Sequence, residues 1–192
     1  MEIHDDGTGD WPVLIYGDSW ARFRRLDKGV RDALAHLKPR IVSSGRSGRS
    51  VAELLADRPT AGLPDLDYQL AILMVGVNDV VRHLGARRYA AATLALTQSV
   101  PARRVLVVEI PRVTGDCAKL PGLIKHQVYK VLFEDGSDSV TTYRAALAEV
   151  GVAVVPVDGF QMAFKDGVHL TDEGYVGFGA YLGERIRETL AL

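Results

Sequence analysis

Five short apolar runs alternate along the chain with longer amphipathic stretches. The runs cover residues 12–16, 40–42, 70–75, 105–110 and 152–157, and they are apolar at most positions rather than at every second one. Continuous apolarity is typical of strands that are buried on both faces of a sheet. The pattern therefore predicts five buried β-strands.

The stretches between the runs predict helices. Residues 20–37 carry apolar side chains three to four positions apart, as one face of a helix does. Residues 51–56, 86–99, 139–150 and 171–190 are further predicted helices, although four glycines weaken the last of them. Strict alternation of strands and helices favours a parallel sheet with helices on both faces. The predicted fold class is α/β, a three-layer α/β/α sandwich with a five-stranded parallel sheet of flavodoxin-like type.

One domain is predicted over residues 11–192, after a flexible polar tail at residues 1–10. Residues 114–137 fit the alternation least well, because they combine Pro121 and several glycines with an amphipathic piece. Two interpretations stay open for them: a surface helix with a loop, which we favour, or a lid over the functional site.

Charge and composition exclude several function classes. Lys and Arg number 23 against 24 Asp and Glu, so the net charge of −1 gives no overall attraction to nucleic acid or to an anionic membrane. The single cysteine, Cys117, excludes an intramolecular disulfide. We see neither a secretory signal nor an apolar run of roughly 18 residues that would cross a membrane. We therefore expect a cytoplasmic protein without a nucleic-acid partner or stable membrane association, and the oligomeric state stays open.

The motif Gly17-Asp18-Ser19-Trp20 follows the first predicted strand and precedes the first helix. The carboxyl edge of a parallel sheet is where such folds place their active sites, and a helix start favours an oxyanion. Ser19 is therefore a candidate nucleophile. The alternative is that Asp18 or Ser19 merely caps the helix.

A nucleophilic serine needs a base, and His169 is the best placed of the five histidines. It lies between the last strand and the last helix, three residues after Asp166. Across a glycine turn the Asp166 carboxylate can reach imidazole Nδ1, which leaves Nε2 to face Ser19. An ordinary polar turn is the alternative.

Two more segments follow strands and can supply hydrogen-bond donors. In Gly76-Val77-Asn78-Asp79 the Asn78 amide can point into the crevice, and a glycine N–H in residues 43–48 can act beside it. Turn chemistry explains either segment equally well when it is taken alone. All four segments, however, fall at one edge of the predicted sheet.

These four motifs, in this order, resemble blocks I, II, III and V of the SGNH/GDSL hydrolases. The resemblance spans nearly the whole chain and implies a Ser-His-Asp triad with an oxyanion hole. Its implied triad is Ser19 as nucleophile, His169 as base and Asp166 as the residue that orients the base. Its implied oxyanion hole is the backbone N–H of Ser19, the backbone N–H of Gly48 and the side chain of Asn78.

Two positions depart from the family pattern. Trp20 stands where the family name has Leu, and we expect it to pack or to form part of the pocket wall. Ser43 stands where block II usually has Asn, which leaves the placement of the Gly48 loop less defined. Arg22, Arg46 and Arg49 lie near these motifs; they either bind an anionic substrate group or, as we favour, form solvated surface.

Other catalytic motifs are missing from the sequence. There is no G-x-S-x-G elbow, Walker A loop, dinucleotide fingerprint or Cys/His cluster with ligand spacing, so we predict no cofactor and no metal. The resemblance then implies a serine esterase that hydrolyses short-chain acyl esters through an acyl-enzyme, with an acetylated carbohydrate as the first guess for its substrate. Two alternatives are an acyltransferase that uses a sugar or alcohol acceptor, and a flavodoxin-like binding module without catalysis.

Overall fold

The computed structural model describes residues 2–57, 62–112, 139–166 and 168–191, so the segment 114–137 lies outside the described residues. The strands are β1 Glu2–Asp5, β2 Trp11–Gly17, β3 Pro39–Gly45, β4 Leu70–Met74, β5 Val105–Val108 and β6 Val154–Val155. The helices are α1 Arg24–Ala33, α2 Val51–Asp57, α3 Val77–Val81, α4 Ala86–Ser99, α5 Ser139–Glu149 and α6 Asp172–Leu190. Short 3-10 turns at Trp20–Arg22 and Ala35–Leu37 flank α1.

The strands form one sheet in the order β1-β3-β2-β4-β5-β6. All neighbours from β3 to β6 are parallel. Without β1, this strand order is that of a doubly wound, flavodoxin-like sheet, whose ligands bind at the carboxyl ends of the strands. The predicted α/β class is confirmed, and every predicted strand lies in this sheet.

The expected tail at residues 1–10 differs from the structure, because Glu2–Asp5 forms the additional strand β1. It runs antiparallel to β3, with Ile3 opposite Ser44. The Asp5 carboxylate accepts two hydrogen bonds from Arg40, at 3.0 and 2.6 Å. The described part of the sheet thus has six strands instead of five. Only one residue of β1 is apolar, so the hydrophobic pattern did not reveal it.

Helices cover both faces of the sheet. Along β2, Leu14 and Tyr16 face a core that α2, α4 and α5 close, whereas Val13 and Ile15 face a core that α1 and α6 close. Burial on both faces explains why the strand sequences are continuously apolar. Among the described residues, no helix is long and apolar enough to cross a membrane.

The packing of α1 against α6 depends on glycines. A Cβ on Gly29 would overlap the backbone oxygen of Val176, and one on Gly183 would overlap the Ala33 side chain. The glycines that lower the helix propensity of α6 therefore let the two helices approach closely. Because α6 begins at Asp172, three residues after His169, this contact holds the helix that follows the His169 loop.

Candidate active site

Ser19 lies at the carboxyl end of β2, at the start of the 3-10 turn Trp20–Arg22. A Cβ on Gly17 would overlap the backbone oxygen of Met74, so β2 can end against β4 only with a glycine there. The Gly17 carbonyl accepts a hydrogen bond of 3.0 Å from the backbone N–H of Arg46. The turn that carries Ser19 is thereby held by both neighbouring strands.

His169 connects Ser19 to Asp166. Its Nε2 lies 3.1 Å from the Ser19 hydroxyl oxygen, and its Nδ1 lies 2.9 Å from Asp166 Oδ2. An ionised carboxylate only accepts hydrogen bonds, so Nδ1 carries the proton that is donated to Asp166. Nε2 is then free to accept the hydroxyl proton of Ser19. The three predicted residues lie in one hydrogen-bonded series.

The second oxygen of Asp166 holds the loop in shape. Oδ1 accepts the backbone N–H groups of Val168, at 3.0 Å, and of His169, at 2.7 Å. Partial burial of this carboxyl acts to raise its pKa, but the bonds from His169 and Val168 outweigh burial and hold the pKa below the ordinary value. Phe164 and Leu170 pair as an antiparallel bridge around the loop. Asp166 therefore stays ionised and orients the imidazole.

Phe23 forms a wall beside the imidazole. Its ring centroid lies 5.9 Å from that of His169 and is stacked on Tyr175 at 4.2 Å. The backbone of Phe23 is extended between the 3-10 turn and α1, which interrupts the single long helix predicted over residues 20–37. The sequence pattern predicted one helix over residues 20–37 and gave no sign of the contact between Phe23 and His169.

Asn78 is the second residue of α3, which begins three residues after the end of β4. Gly76 caps this helix with a φ of 109°, a backbone conformation that favours glycine. The Asn78 amide donates one N–H to Asp18 Oδ2 over 3.1 Å. An amide has two N–H groups, so this bond uses one and fixes the plane in which the other points.

Asp18 is a buried carboxyl directly before Ser19, only 1% exposed. Its Oδ1 accepts the backbone N–H of Trp20 at 3.0 Å, whereas Ser19, the residue at the cap of the 3-10 turn, makes no capping hydrogen bond with its side chain. The contact of Asp18 with Asn78 was not predicted. Burial raises the pKa of Asp18 to about 7, and the charge of Asp79 acts in the same direction. Asp18 thus connects the turn that carries Ser19 to the Asn78 amide.

The Gly48 loop joins β3 to α2 at the same edge of the sheet. Gly48 has a φ of 75°, and a Cβ there would meet no atom within 4 Å, so its backbone angle rather than lack of space favours glycine. Ser50 and Glu53 form a capping box at the start of α2: Glu53 Oε2 accepts the N–H and the hydroxyl of Ser50, both at 2.8 Å. The bond from Ser50 N–H and an ion pair with Arg82 lower the pKa of Glu53 to about 2.

Asp79 links this loop to α3 and was not predicted to do so. Its Oδ2 accepts the backbone N–H of Val51, the first residue of α2, at 3.0 Å. Burial raises the pKa of Asp79 to about 6 despite this bond. Tyr143 donates its hydroxyl to the Asp79 carbonyl at 3.1 Å. The segments that carry Gly48 and Asn78 are therefore positioned against each other.

The arginines of the Gly48 loop bind carboxylates of α2. Arg46 pairs with Asp57 at 2.8 Å, and Arg49 pairs with Asp57 at 3.3 Å and with Glu53 at 3.5 Å. The Arg46 and Arg49 side chains thus pair with acidic side chains of α2 while remaining 40% and 32% exposed. Arg22 is an exposed residue of the turn after Ser19.

The two departures from the family pattern have distinct environments. Ser43 is buried and donates its hydroxyl to Asp27 of α1 at 2.7 Å, so it braces β3 against that helix. Trp20 is 2% exposed and packs edge-on against Tyr175 and Phe178, with ring centroids 5.9 and 5.6 Å apart. Trp20 also lines a small cavity next to Asp18.

Comparison with known protein families gives a match over most of the chain. A profile of the GDSL-like Lipase/Acylhydrolase family matches residues 14–176. The chain belongs to this family. Membership of this family confirms the prediction that this acylhydrolase is an enzyme of the hydrolase class. A comparison with curated protein sequences finds no significant match.

Solved structures share the fold of this acylhydrolase at low sequence identity. A carbohydrate acetylesterase family member from Sinorhizobium meliloti is 18% identical, with a TM-score of 0.69 over 95% of this chain and 100% of that one. A putative platelet activating factor from Streptococcus pneumonia is 19% identical, with a TM-score of 0.68 over 94% and 85% of the two chains. An acetylxylan esterase from Geobacillus stearothermophilus is 15% identical, with a TM-score of 0.59 over 96% and 95%.

Proposed function

We propose that this acylhydrolase is a serine esterase that cleaves short-chain acyl esters through an acyl-enzyme on Ser19. The observation that carries the proposal is the continuous hydrogen-bonded series from Asp166 through His169 to the Ser19 hydroxyl, at 2.9 and 3.1 Å. A serine hydroxyl is a weak nucleophile unless a neighbouring base takes its proton as it attacks.

In the first half of the reaction, the Ser19 oxygen attacks the ester carbonyl and His169 Nε2 takes the hydroxyl proton. The imidazolium that forms is stabilised by the ionised Asp166. The carbonyl oxygen becomes an oxyanion, and we assign its stabilisation to the N–H groups of Ser19 and Gly48 and to the Asn78 amide. His169 then returns the proton to the departing alcohol, which leaves the acyl group on Ser19.

In the second half, water replaces the alcohol. His169 takes a proton from the water as its oxygen attacks the acyl carbon, and the same donors hold the second oxyanion. Collapse of this intermediate releases the carboxylic acid, and the proton on His169 returns to the Ser19 oxygen. The site is accessible for both steps, since the His169 and Asp166 side chains are 27% and 23% exposed.

For the substrate we propose an O-acetyl ester of a carbohydrate. Two of the similar structures bear the names of carbohydrate acetylesterase and acetylxylan esterase. Both cover more than nine tenths of this chain. Acetylated xylo-oligosaccharides and acetylated monosaccharides are therefore the first natural substrates to assay.

The proposal is tested with Ser19→Ala, assayed on p-nitrophenyl acetate and by labelling with a fluorophosphonate. We expect loss of both turnover and labelling with an unchanged circular dichroism spectrum. Ser47→Ala is the matched control, because Ser47 is an exposed serine on the Gly48 loop at the same edge. Labelling that survives in Ser19→Ala would refute the assignment. Transfer product that outruns free acid when an alcohol is added would identify an acyltransferase instead.

A further inference from the structure

The buried carboxyl of Asp18 contacts the amide that we assign to the oxyanion hole. Its Oδ2 accepts an N–H of Asn78 over 3.1 Å, while its Oδ1 accepts the backbone N–H of Trp20 over 3.0 Å. The backbone N–H of Asp18 donates to the Met74 carbonyl at the end of β4, also over 3.0 Å. Asp18 is therefore held between β4 and the turn that carries Ser19, with each carboxyl oxygen on a different partner.

The side-chain amide of Asn78 can face Asp18 in two orientations. An asparagine amide has two N–H donors on its nitrogen and an acceptor oxygen, and a half-turn about the Cβ–Cγ bond exchanges the two sides. With the nitrogen toward Asp18, one N–H binds the carboxylate and the second is left to donate to an oxyanion. With the oxygen toward Asp18, an oxygen lone pair replaces that second N–H and would repel an oxyanion.

The charge of Asp18 decides between these two orientations. An ionised carboxylate only accepts hydrogen bonds, so it binds the nitrogen side of the Asn78 amide, whereas a protonated carboxyl or a second amide can donate to the oxygen side. A hydrogen bond to an ionised group is roughly twice as strong as one between neutral groups. Because Asp18 is only 1% exposed, little water competes for this bond. The ionised form of Asp18 thus favours the orientation that leaves an N–H for the oxyanion.

The surroundings of Asp18 set the pH at which it is ionised. Burial raises its pKa to about 7, the charge of Asp79 in α3 adds to the rise, and the hydrogen bonds that it accepts oppose it. The charge of Asp18 also acts on Tyr89 of α4 and Tyr175 of α6, but burial raises the pKa of both hydroxyls so far that they stay neutral. Asp18 is therefore mostly ionised at pH 8, which is the pH for the assays below.

We propose that Asp18 is a positioning residue of the oxyanion hole, whose ionised carboxylate holds the Asn78 amide with one N–H toward the ester carbonyl. This inference rests on the proposed esterase function of Ser19. Asp18 acts through Asn78 and not on the reacting atoms. Burial of a charge costs free energy unless the charge is hydrogen-bonded, and this role gives a reason for a buried carboxylate directly before Ser19.

The test uses Asp18→Asn, which keeps the size of the side chain. Its new oxygen can accept the Trp20 N–H, which leaves its NH₂ group facing Asn78 and favours the wrong orientation of that amide. On p-nitrophenyl acetate at pH 8 we expect kcat to fall by about 10- to 100-fold with little change in KM, somewhat less than for loss of the donor itself. Asp27→Asn is the matched control, because it removes another buried carboxylate, bonded to Ser43 of β3, and should keep kcat.

A double-mutant cycle separates positioning of the amide from general damage to the turn. Once Asn78→Ala has removed the amide, Asp18 has nothing to orient, so adding Asp18→Asn should change kcat by no more than about 2-fold. The same loss of kcat in both backgrounds would overturn the inference, because Asp18 would then act independently of Asn78. If Asp18→Asn alters the circular dichroism spectrum, Asp18→Ser replaces it in the cycle, since a serine can still cap the Trp20 N–H but carries no charge.

Failure of this inference differs from failure of the esterase proposal. Fluorophosphonate labelling that survives in Ser19→Ala, or an unaltered protein that turns over no acetyl ester, would refute the esterase proposal and this inference with it. If the unaltered protein is active and Ser19-dependent while Asp18→Asn or Asn78→Ala keeps the original kcat, Ser19 remains the nucleophile and only the role of Asp18 is refuted.

Discussion

The buried carboxyl of Asp27 allows a quantitative test of how burial changes a pKa and, through it, the free energy of unfolding. It lies on α1 facing the sheet and is 2% exposed. Its Oδ2 accepts the Ser43 hydroxyl, while its Oδ1 is buried with no hydrogen-bond partner among the described residues. Burial raises the pKa of Asp27 from 3.8 to about 6, against the bond from Ser43 and the charges of His4 and Arg31. The perturbation we consider is Asp27→Asn.

The direction in which pH changes the unfolding free energy follows from proton linkage. The folded protein holds the Asp27 proton more tightly than the unfolded chain does, so the unfolding free energy falls as pH rises through the interval from 3.8 to about 6. Each pH unit of that interval corresponds to about 1.4 kcal/mol, which gives ~3 kcal/mol in all. About 2 kcal/mol of this falls between pH 4.5 and 8. The amide introduced by Asp27→Asn cannot ionise. The variant therefore does not lose the unfolding free energy that ionisation of Asp27 costs the unaltered protein as pH rises.

The assay is urea unfolding followed by tryptophan fluorescence at pH 4.5 and pH 8. We expect the stability of Asp27→Asn relative to the unaltered protein to improve by about 2 kcal/mol from the lower to the higher pH. The new amide also changes the unfolding free energy by about 1–3 kcal/mol at both pH values alike. This change cancels when the two pH values are compared. Asp32→Asn, which removes an exposed charge from the same helix, is the control. Parallel pH dependences for Asp27→Asn and the unaltered protein would refute the reasoning.

Two further substitutions test the site and the helix packing. Asn78→Ala should lower kcat on p-nitrophenyl acetate by roughly 10²–10³ with little change in KM, because the role proposed for the amide is to stabilise the oxyanion. An unchanged kcat would remove Asn78 from the oxyanion hole. Gly179→Ala should lower the unfolding free energy by about 1–3 kcal/mol, because the new Cβ would overlap the Leu26 backbone oxygen. Urea unfolding measures this change, and a stability equal to that of the unaltered protein would contradict the close contact between α1 and α6.

The elements that sequence analysis predicted best are those whose pattern arises from burial on both faces. Residues 12–16 and 70–75 fall within or overlap β2 and β4, because a strand between two helical layers has to be apolar throughout. The candidate site residues were predictable for a related reason. Each follows a strand of a parallel sheet, and the carboxyl ends of such strands meet at one edge.

What the sequence could not reveal depends on contacts between distant residues. The bond between Asp18 and Asn78 joins positions 60 residues apart, and neither residue type indicates its partner. The contact of Phe23 with His169 requires an extended residue inside a stretch whose periodicity predicts one helix. From the sequence, the glycines of α6 only lower its helix propensity. The structure shows their role, because α1 packs so close to α6 that a side chain at these positions would not fit.

The four residues of β1 also bear on how copies of this protein meet. Without them, β3 would present its backbone N–H and C=O groups along an open sheet border, which another chain can use as a template. β1 satisfies those groups and leaves a border that is short and set beside the Asp5–Arg40 and Asp6–Arg31 ion pairs. Such a border is a poor template for strand addition. We therefore expect the four residues of β1 to lower the tendency of this protein to aggregate by strand addition.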